Sequence, residues 1–453
     1  MLAGCLDSAR DVADEIVLVD TGSQDRTMEV ARRYGARVYE RPWDDDFAAP
    51  RNEALAHARG DYILQLDADE RLARGARHGL RRALRGDGLH LGLLRLHNAS
   101  RADAPHNRVV SGELRLGNVL WVPRLARRTP ELRYEGVIHE GVDECLLRKG
   151  VHPRAVEVDI VHLGSAPDLR ERRQKLCRNL ALLEKRCQLE PRSITPFGFL
   201  AMELFEAGRL SEAQRVADQG WSLLGEQPAY RSALLVANVR AVMALRQGDA
   251  DRALETAQRF REREGVRADL EHHRGMALLL LALRSPPGDP ARAARLEQAI
   301  EAFREAMAPR PGEQNSAIAG VGSWATTTRL GDTLLAAGRF READSAFATA
   351  LAASPAFAEA RLGLAEVQLE AGDAAGCLAT VEPLLGPAPD GWLLAAAAAH
   401  ALGADDDARL LFTRAWERFR EGGYRAPHRR ERHNALAAAL AAPPHLPSVA
   451  RIA

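Results

Sequence analysis

Residues 61–70 read Asp-Tyr-Ile-Leu-Gln-Leu-Asp-Ala-Asp-Glu, a mostly apolar run that ends in carboxylates one residue apart. If the run stays extended to its end, side chains alternate between faces and Asp67 and Asp69 point the same way, with small Ala68 between them. Two carboxylates at the carboxyl end of a buried strand suit a hard cation that also carries phosphate oxygens. That end of an open α/β sheet is where ligands gather. The same acidic cluster would also serve as the capped start of a helix over 71–85.

Four further groups could act with it. Asp20-Thr21-Gly22-Ser23-Gln24-Asp25 follows an apolar run; a carboxylate there can accept hydrogen bonds from a ribose hydroxyl or a base edge, and Gly22 permits close backbone approach. The plain alternative is a turn in which Asp20 or Asp25 caps the next helix. Arg51, in Phe47-Ala-Ala-Pro-Arg51-Asn-Glu53, has the planar fork that matches diphosphate oxygens, although a single helical arginine is often only ion-paired. Asp44-Asp45-Asp46 reads as a solvated loop. His139-Glu140, closing Arg133–Glu140, offers a general base and an orienting group, or else a structural loop. His162, in Val161-His-Leu-Gly164, fits a further metal ligand, a phosphate donor or a domain-junction residue.

These groups need elements to hold them. Glu15–Val19, Ala36–Tyr39, residues 61–66 and the runs near 91–97, 118–125 and 156–162 read as strands, and residues 25–34 and 47–58 read as helices. Such alternation predicts a mostly parallel sheet with helices on its faces. From about residue 170 the grammar changes to Ala- and Leu-rich helix. Leu330-Gly331, Gly338, Ala343, Phe347, Ala350 and Pro355 fall at the spacing of a helix-turn-helix repeat of about 34 residues. The turn glycine recurs at Gly372 and Gly403, with weaker echoes at Gly208 and Gly248. Residues 285–290 and 442–447 are rich in breakers and mark a loop and a tail.

The whole chain narrows the options. Its 453 residues suit two or three domains. Lys plus Arg and Asp plus Glu both number 62, so no global field recruits nucleic acid, and no basic stripe with interleaved aromatics is present. No run reaches the length of a membrane span. Five cysteines without CxxC spacing, and no basic-then-apolar leader, predict reduced thiols and a cytoplasmic protein.

Taken in order, DEIVLVDTGSQDRT (14–27), RPWDDDFAAPRNEAL (41–55), GDYILQLDADE (60–70), YEGVIHE (134–140) and VHLG (161–164) resemble the family 2 glycosyltransferases of the GT-A fold. The chain is most similar to the bacterial subgroup with tetratricopeptide repeats after the catalytic domain, related to peptide glycosyltransferases. The resemblance implies a Rossmann-like α/β GT-A domain over 1–165, a linking helix over 166–195, an all-α tetratricopeptide solenoid over 196–440 and a tail over 441–453. It also implies sugar transfer, with inversion, from a nucleotide-diphosphate sugar (a UDP-sugar being the expected donor) to an acceptor such as a protein or peptide, with Mn²⁺ or Mg²⁺. Residue by residue, Asp20 and Asp25 match the nucleoside turn, Arg51 the arginine near the nucleotide, and Asp67 with Asp69 the metal-diphosphate motif. His162 matches a late metal ligand, and the His139-Glu140 step the acceptor-activating base, with Glu140 in that role.

One departure bears on activity. The family opens with a central strand, whereas Met1–Leu6 matches the helix after it, so the GT-A domain is expected to lack its first strand. That favours a second reading, a catalytically inactive glycosyltransferase-like domain on a repeat scaffold for protein interaction.

Overall fold

A computed structural model describes residues 1–85, 88–117, 119–166, 172–225, 231–308, 320–386 and 388–440. The tail assigned to 441–453 lies outside the described residues. The chain divides into two compact units, one from Met1 to Val236 and the other from Ala237 onward.

The first unit opens α1 (Leu2–Ala9), β1 (Val17–Asp20), α2 (Thr27–Arg33), β2 (Arg37–Glu40), α3 (Ala48–His57), β3 (Tyr62–Leu64), β4 (Glu70–Leu72) and α4 (Ala76–Ala83). It continues β5 (Leu91–Asn98), α5 (His106–Val110), β6 (Leu120–Arg127), α6 (Asp143–Leu147) and β7 (Arg154–His162), then α7 (Arg172–Leu189), α8 (Ile194–Glu206) and α9 (Leu210–Ser222). β1 and β2 pair in parallel as a sheet of their own. The larger sheet runs β3-β6-β5-β7-β4.

That larger sheet is more mixed than the alternation predicts. Only β5 and β7 pair in parallel, while β3–β6, β5–β6 and β4–β7 are antiparallel. Between β5 and β6 the chain builds only the five-residue α5, too short for the face-covering crossover that parallel neighbours require. Leu94, Leu96, Val156, Val158 and Ile160 point to one face, where they bury Ala9 of α1 and Ala76 and Leu80 of α4. Leu91 and Ala126 pack on the other face with Ala48 of α3, Tyr134 and Leu146.

Two local expectations change. β3 ends at Leu64, and Asp67 and Asp69 lie in the turn before β4 rather than on a strand; alternation therefore does not set their directions. Arg71 and Leu72, which a helix over 71–85 would include, instead pair with Glu70 against Ile160–His162 as the edge strand of the larger sheet, and helix begins only at Ala76.

A cavity of about 400 Å³ lies between β1 and β3. Ile16 and Leu18 form one wall, Leu64 and Leu66 the other, with Leu6 of α1 and Ala54 of α3 also lining it. Arg51 and Asp67 reach the same cavity.

The second unit is helical. α10 (Arg231–Arg246) crosses into it, followed by α11 (Ala250–Glu264), α12 (Ala268–Ala282), α13 (Pro290–Met307), α14 (Trp324–Ala336) and α15 (Phe340–Ala353). α16 (Ala358–Glu370), α17 (Ala374–Val381), α18 (Pro389–Ala401), α19 (Asp405–Gly422) and α20 (Arg429–Ala439) complete it. The turn glycines singled out by spacing do what the repeat needs: Gly248, Gly338, Gly372 and Gly403 all have φ between +72° and +85°, a region that costs other residues steric strain. Gly331 of α14 and Gly363 of α16 both face the Phe347 ring of α15, where a Cβ would clash. Close helix approach around one buried aromatic is thus written into small residues at fixed spacing.

Candidate active site

The turn between β3 and β4 carries the site. Asp67 Oδ1 accepts a hydrogen bond from Arg51 Nη2 at 2.8 Å, and Asp67 Oδ2 one from Arg124 Nη2 at 3.0 Å. Arg51 also donates through Nε to Glu140, and Arg124 to Glu70. Glu70 in turn accepts from the Asp67 backbone N–H at 3.0 Å. Two cations and three carboxylates therefore form one network, with Glu140 and Glu70 nearly buried. Burial opposes ionisation of Asp67, but the Arg51 and Arg124 charges outweigh it and hold the carboxyl below its ordinary range. Glu70, deeper, is pushed up by burial despite Arg124.

Asp69 turns elsewhere. Its Oδ2 lies 3.5 Å from His162 Nε2 at the end of β7, and its backbone C=O accepts from the Leu163 N–H at 3.0 Å. The imidazole is oriented from behind: Nδ1 sits 2.9 Å from Asn98 Oδ1 on β5, an acceptor, so Nδ1 carries the proton and Nε2 faces the carboxylate. The hydrogen bond from His162 holds Asp69 low, while burial of His162 is outweighed by Asp69, which raises it. A Cβ at Gly164 would strike Asp69 Oδ2 and crowd His162, which accounts for the glycine in Val-His-Leu-Gly.

The loop that carries Glu140 is clamped from two sides. Asn52 of α3 exchanges hydrogen bonds with the Tyr134 backbone at 3.0 and 2.8 Å. Arg186 of α7, 1% exposed, donates to the Ile138 carbonyl at 2.8 Å. Gly136, at φ +92°, leaves the space that the guanidinium fills. His139 adopts φ +50° and stacks on Phe199 of α8 with ring centroids 4.2 Å apart. The two neighbours thus diverge: Glu140 joins the Arg51 network and His139 faces a helix.

Asp20 and Asp25 shape the β1–α2 turn. Asp20 Oδ2 accepts from the Gly22 and Ser23 N–H groups at 3.0 and 2.9 Å. Burial disfavours its charge, but the Ser23 and Gly22 donors outweigh that and hold it low. Gly22 has φ +112°, as this turn requires. Asp25 Oδ1 accepts from the Thr27 N–H at 2.9 Å and starts α2. Neither comes into the Asp67 network through any of these bonds. Asp44-Asp45-Asp46 is local as well: Arg41 pairs with Asp44, Trp43 donates to Asp45, and Asp46 caps α3 at Ala48.

The residues present fit a divalent cation bound largely through substrate. Asp69 and His162 supply an oxygen and a nitrogen within reach of each other, whereas both Asp67 oxygens are already taken by guanidinium groups. Among the described residues no group of three or more His, Cys, Asp or Glu is arranged to hold a metal ion. A hard cation held by one or two protein groups and completed by phosphate and water is a usual arrangement for Mg²⁺.

Residues 1–148 match the model of "Glycosyl transferase family 2", and residues 334–401 that of "Tetratricopeptide repeat". A TPR repeat-containing protein of Synechococcus elongatus is 32% identical over 321 residues, covering 69% of this chain and 73% of that one. The chain belongs to the family 2 glycosyltransferases that carry tetratricopeptide repeats. An uncharacterized glycosyltransferase of Rickettsia bellii is 35% identical over 69 residues, 15% of this chain and 23% of that one. The prophage-derived glycosyltransferase SunS of Bacillus subtilis is 24% identical over 215 residues, 46% of this chain and 47% of that one. The chain therefore spans less than half the length of these two glycosyltransferases. The network around Asp67 and the Asp69–His162 pair both draw on the glycosyltransferase domain matched at 1–148, with His162 just beyond it.

Sequence reasoning missed four glycosyltransferase residues that the structure makes central: Arg124, Asn98, Asn52 and Arg186. Asn52 lay beside Arg51 in the same motif and was legible as a helix-face amide. The other three come from distant strands and a helix, with no local pattern to mark them. No helix among the described residues is long and apolar enough to cross a membrane.

Proposed function

We propose that the chain transfers a sugar from a nucleotide-diphosphate sugar to a protein or peptide acceptor, by a single inverting displacement. The observation that carries this reading is the Asp69–His162 pair set beside the Arg51–Asp67–Arg124 network in a family 2 glycosyltransferase domain. Asp69 and His162 would hold Mn²⁺ or Mg²⁺, which when bound neutralises charge on the departing diphosphate. Arg51, held by Asp67 and Glu140, brings its positive charge to the diphosphate. Glu140 takes the acceptor proton, its carboxylate fixed by Arg51 and by the clamps on its loop. Asp20 and Asp25 hold the turn that meets the nucleoside, and His139 braces the base-bearing loop against α8. The repeats supply the protein-binding half, and a cytoplasmic site of action accords with the buried, unpaired thiols of Cys5, Cys145 and Cys377.

The test is donor hydrolysis and transfer across UDP-, GDP- and dTDP-sugars with Mn²⁺ or Mg²⁺. Metal-dependent turnover with one donor, abolished in Asp69→Ala, is the expected result. Absence of donor binding with either metal would leave the inactive scaffold as the better reading.

A further inference from the structure

Trp43 has no task in the sugar-transfer reading. Of the large exposed apolar side chains among the described residues, it alone lines the cavity between β1 and β3, which it shares with Thr21, Arg51 and Asp67. It is 36% exposed, although burying an indole is among the larger apolar gains open to a fold. Its place in the sheet is defined. β1 and β2 run in parallel and end level, with Asp20 opposite Glu40. The Arg41 N–H then donates to the Asp20 carbonyl at 2.9 Å, so the chain leaves β2 beside the Asp20–Ser23 turn. Carboxyl ends of parallel strands are where ligands gather.

The loop that carries Trp43 is held at several points. Arg41 donates to Asp44 at 2.7 Å and to Glu53 at 3.2 Å. Asp45 takes φ +57°, a conformation that Asp reaches more readily than most residues. Its Oδ1 accepts from Trp43 Nε1 at 2.9 Å, and Lys185 Nζ of α7 donates to its carbonyl at 3.2 Å. The Phe47 N–H donates to the Val137 carbonyl at 2.9 Å, and the Phe47 ring props the indole with ring centres 4.7 Å apart and planes at 61°. The one polar atom of the indole is therefore satisfied within its own loop. What the loop presents to the cavity is a flat π-surface, which favours a planar partner over a hydrogen-bonding one.

We infer that Trp43 is a stacking platform for the nucleobase of a nucleoside diphosphate. Resting on the sugar-transfer reading, the assignment also orients the donor. Arg51, which meets the diphosphate in that reading, is bonded to Glu140, so the sugar extends towards Glu140 and the base lies the other way, over β1 and β2. Trp43 stands at that end. Every base has a π-face, so the indole adds affinity for nucleotides in general and does little to choose among them.

The experiment titrates the full chain with UDP, GDP, UDP-glucose and inorganic pyrophosphate, each with Mn²⁺, by calorimetry. Trp43→Ala is expected to weaken UDP and GDP about tenfold, the scale of one base–aromatic stack, and to leave pyrophosphate within about twofold. Trp43→Phe keeps a ring, so it should hold UDP within about threefold of the unsubstituted chain. The quenching of indole emission by UDP should disappear in that same variant. Equal losses for UDP and pyrophosphate would make Trp43 a prop for the Arg51 end, and unchanged UDP affinity would make it an ordinary surface aromatic; either result overturns the inference. A loss confined to UDP-glucose would put the sugar on the indole and overturn it too. If Trp43→Ala fails to fold, the quenching in Trp43→Phe decides: its persistence overturns the inference. An unsubstituted chain that binds no nucleotide would fail the sugar-transfer reading and this inference together, whereas nucleotide binding that Trp43→Ala leaves intact fails this inference alone.

Discussion

Gly164 shows how narrow the tolerances are at the level of single atoms. Its missing Cβ leaves the room in which the Asp69 carboxylate meets His162. Gly164→Ala should lower Mn²⁺ affinity at least tenfold by titration calorimetry, while leaving the far-ultraviolet spectrum unchanged. Arg124 serves a different purpose, since it neutralises Asp67 and buried Glu70 together. Removing one member of a buried ion cluster strands the others, so Arg124→Met should cost about 3–5 kcal/mol in chemical denaturation. If it cost nothing, Glu70 would have to be neutral without Arg124. The contrast explains what the sequence could show. Asp67, Asp69, Arg51 and His162 stand in compact motifs of suggestive residue types. Arg124 reaches Asp67 across 57 residues and Asn98 reaches His162 across 64; each is an ordinary polar residue on a strand until the sheet folds.

At the scale of elements, the repeat helices were legible and the small strands were not. A period of 34 residues with glycine at each turn is a long signal, and the left-handed φ values at Gly338 and Gly372 answer it directly. β4 has three residues and exists only because β7 lies beside it, so nothing local distinguishes it from the start of α4. The aromatic at the centre of the repeat gives a sharp test. Phe347 is fully buried against Gly331 and Gly363, and Phe347→Ala should destabilise the second unit by about 3–5 kcal/mol. The docking of α20 carries a pH dependence. Burial opposes the charge on Glu366, but His428, Arg429 and Arg432, all from the α20 segment, hold its carboxyl well below the usual range. A depressed pKa contributes stability that is present above about pH 4.5 and is lost as pH falls through the folded value. Acid titration should therefore weaken α20 docking below about pH 4.5, read as faster amide exchange in Arg429–Ala439, and Glu366→Gln should flatten that dependence.

Across the whole molecule, the two units meet different demands. The first sets the candidate-site side chains at the ends of strands and in the turns between them, where small displacements matter. The second repeats one packing solution, with Phe303 and Phe347 among its fully buried side chains. The class of each unit was visible in composition and period, because both are properties of long stretches. Strand direction and order were not, because they depend on which segments meet after collapse. The cavity between β1 and β3 has a consequence for how the first unit opens. Among the described residues β1 pairs only with β2, and β3 only with β6, so no ladder of hydrogen bonds joins the two sheets. The strip made of β1, α2 and β2 can then loosen on its own, below the free energy of global unfolding. Amides of Val17–Asp20 should exchange orders of magnitude faster than those of Leu94–Leu96, and the turn held by Asp20 would come and go with them: the Asp20 end of the candidate site is hinged, while the Asp67 end is fixed.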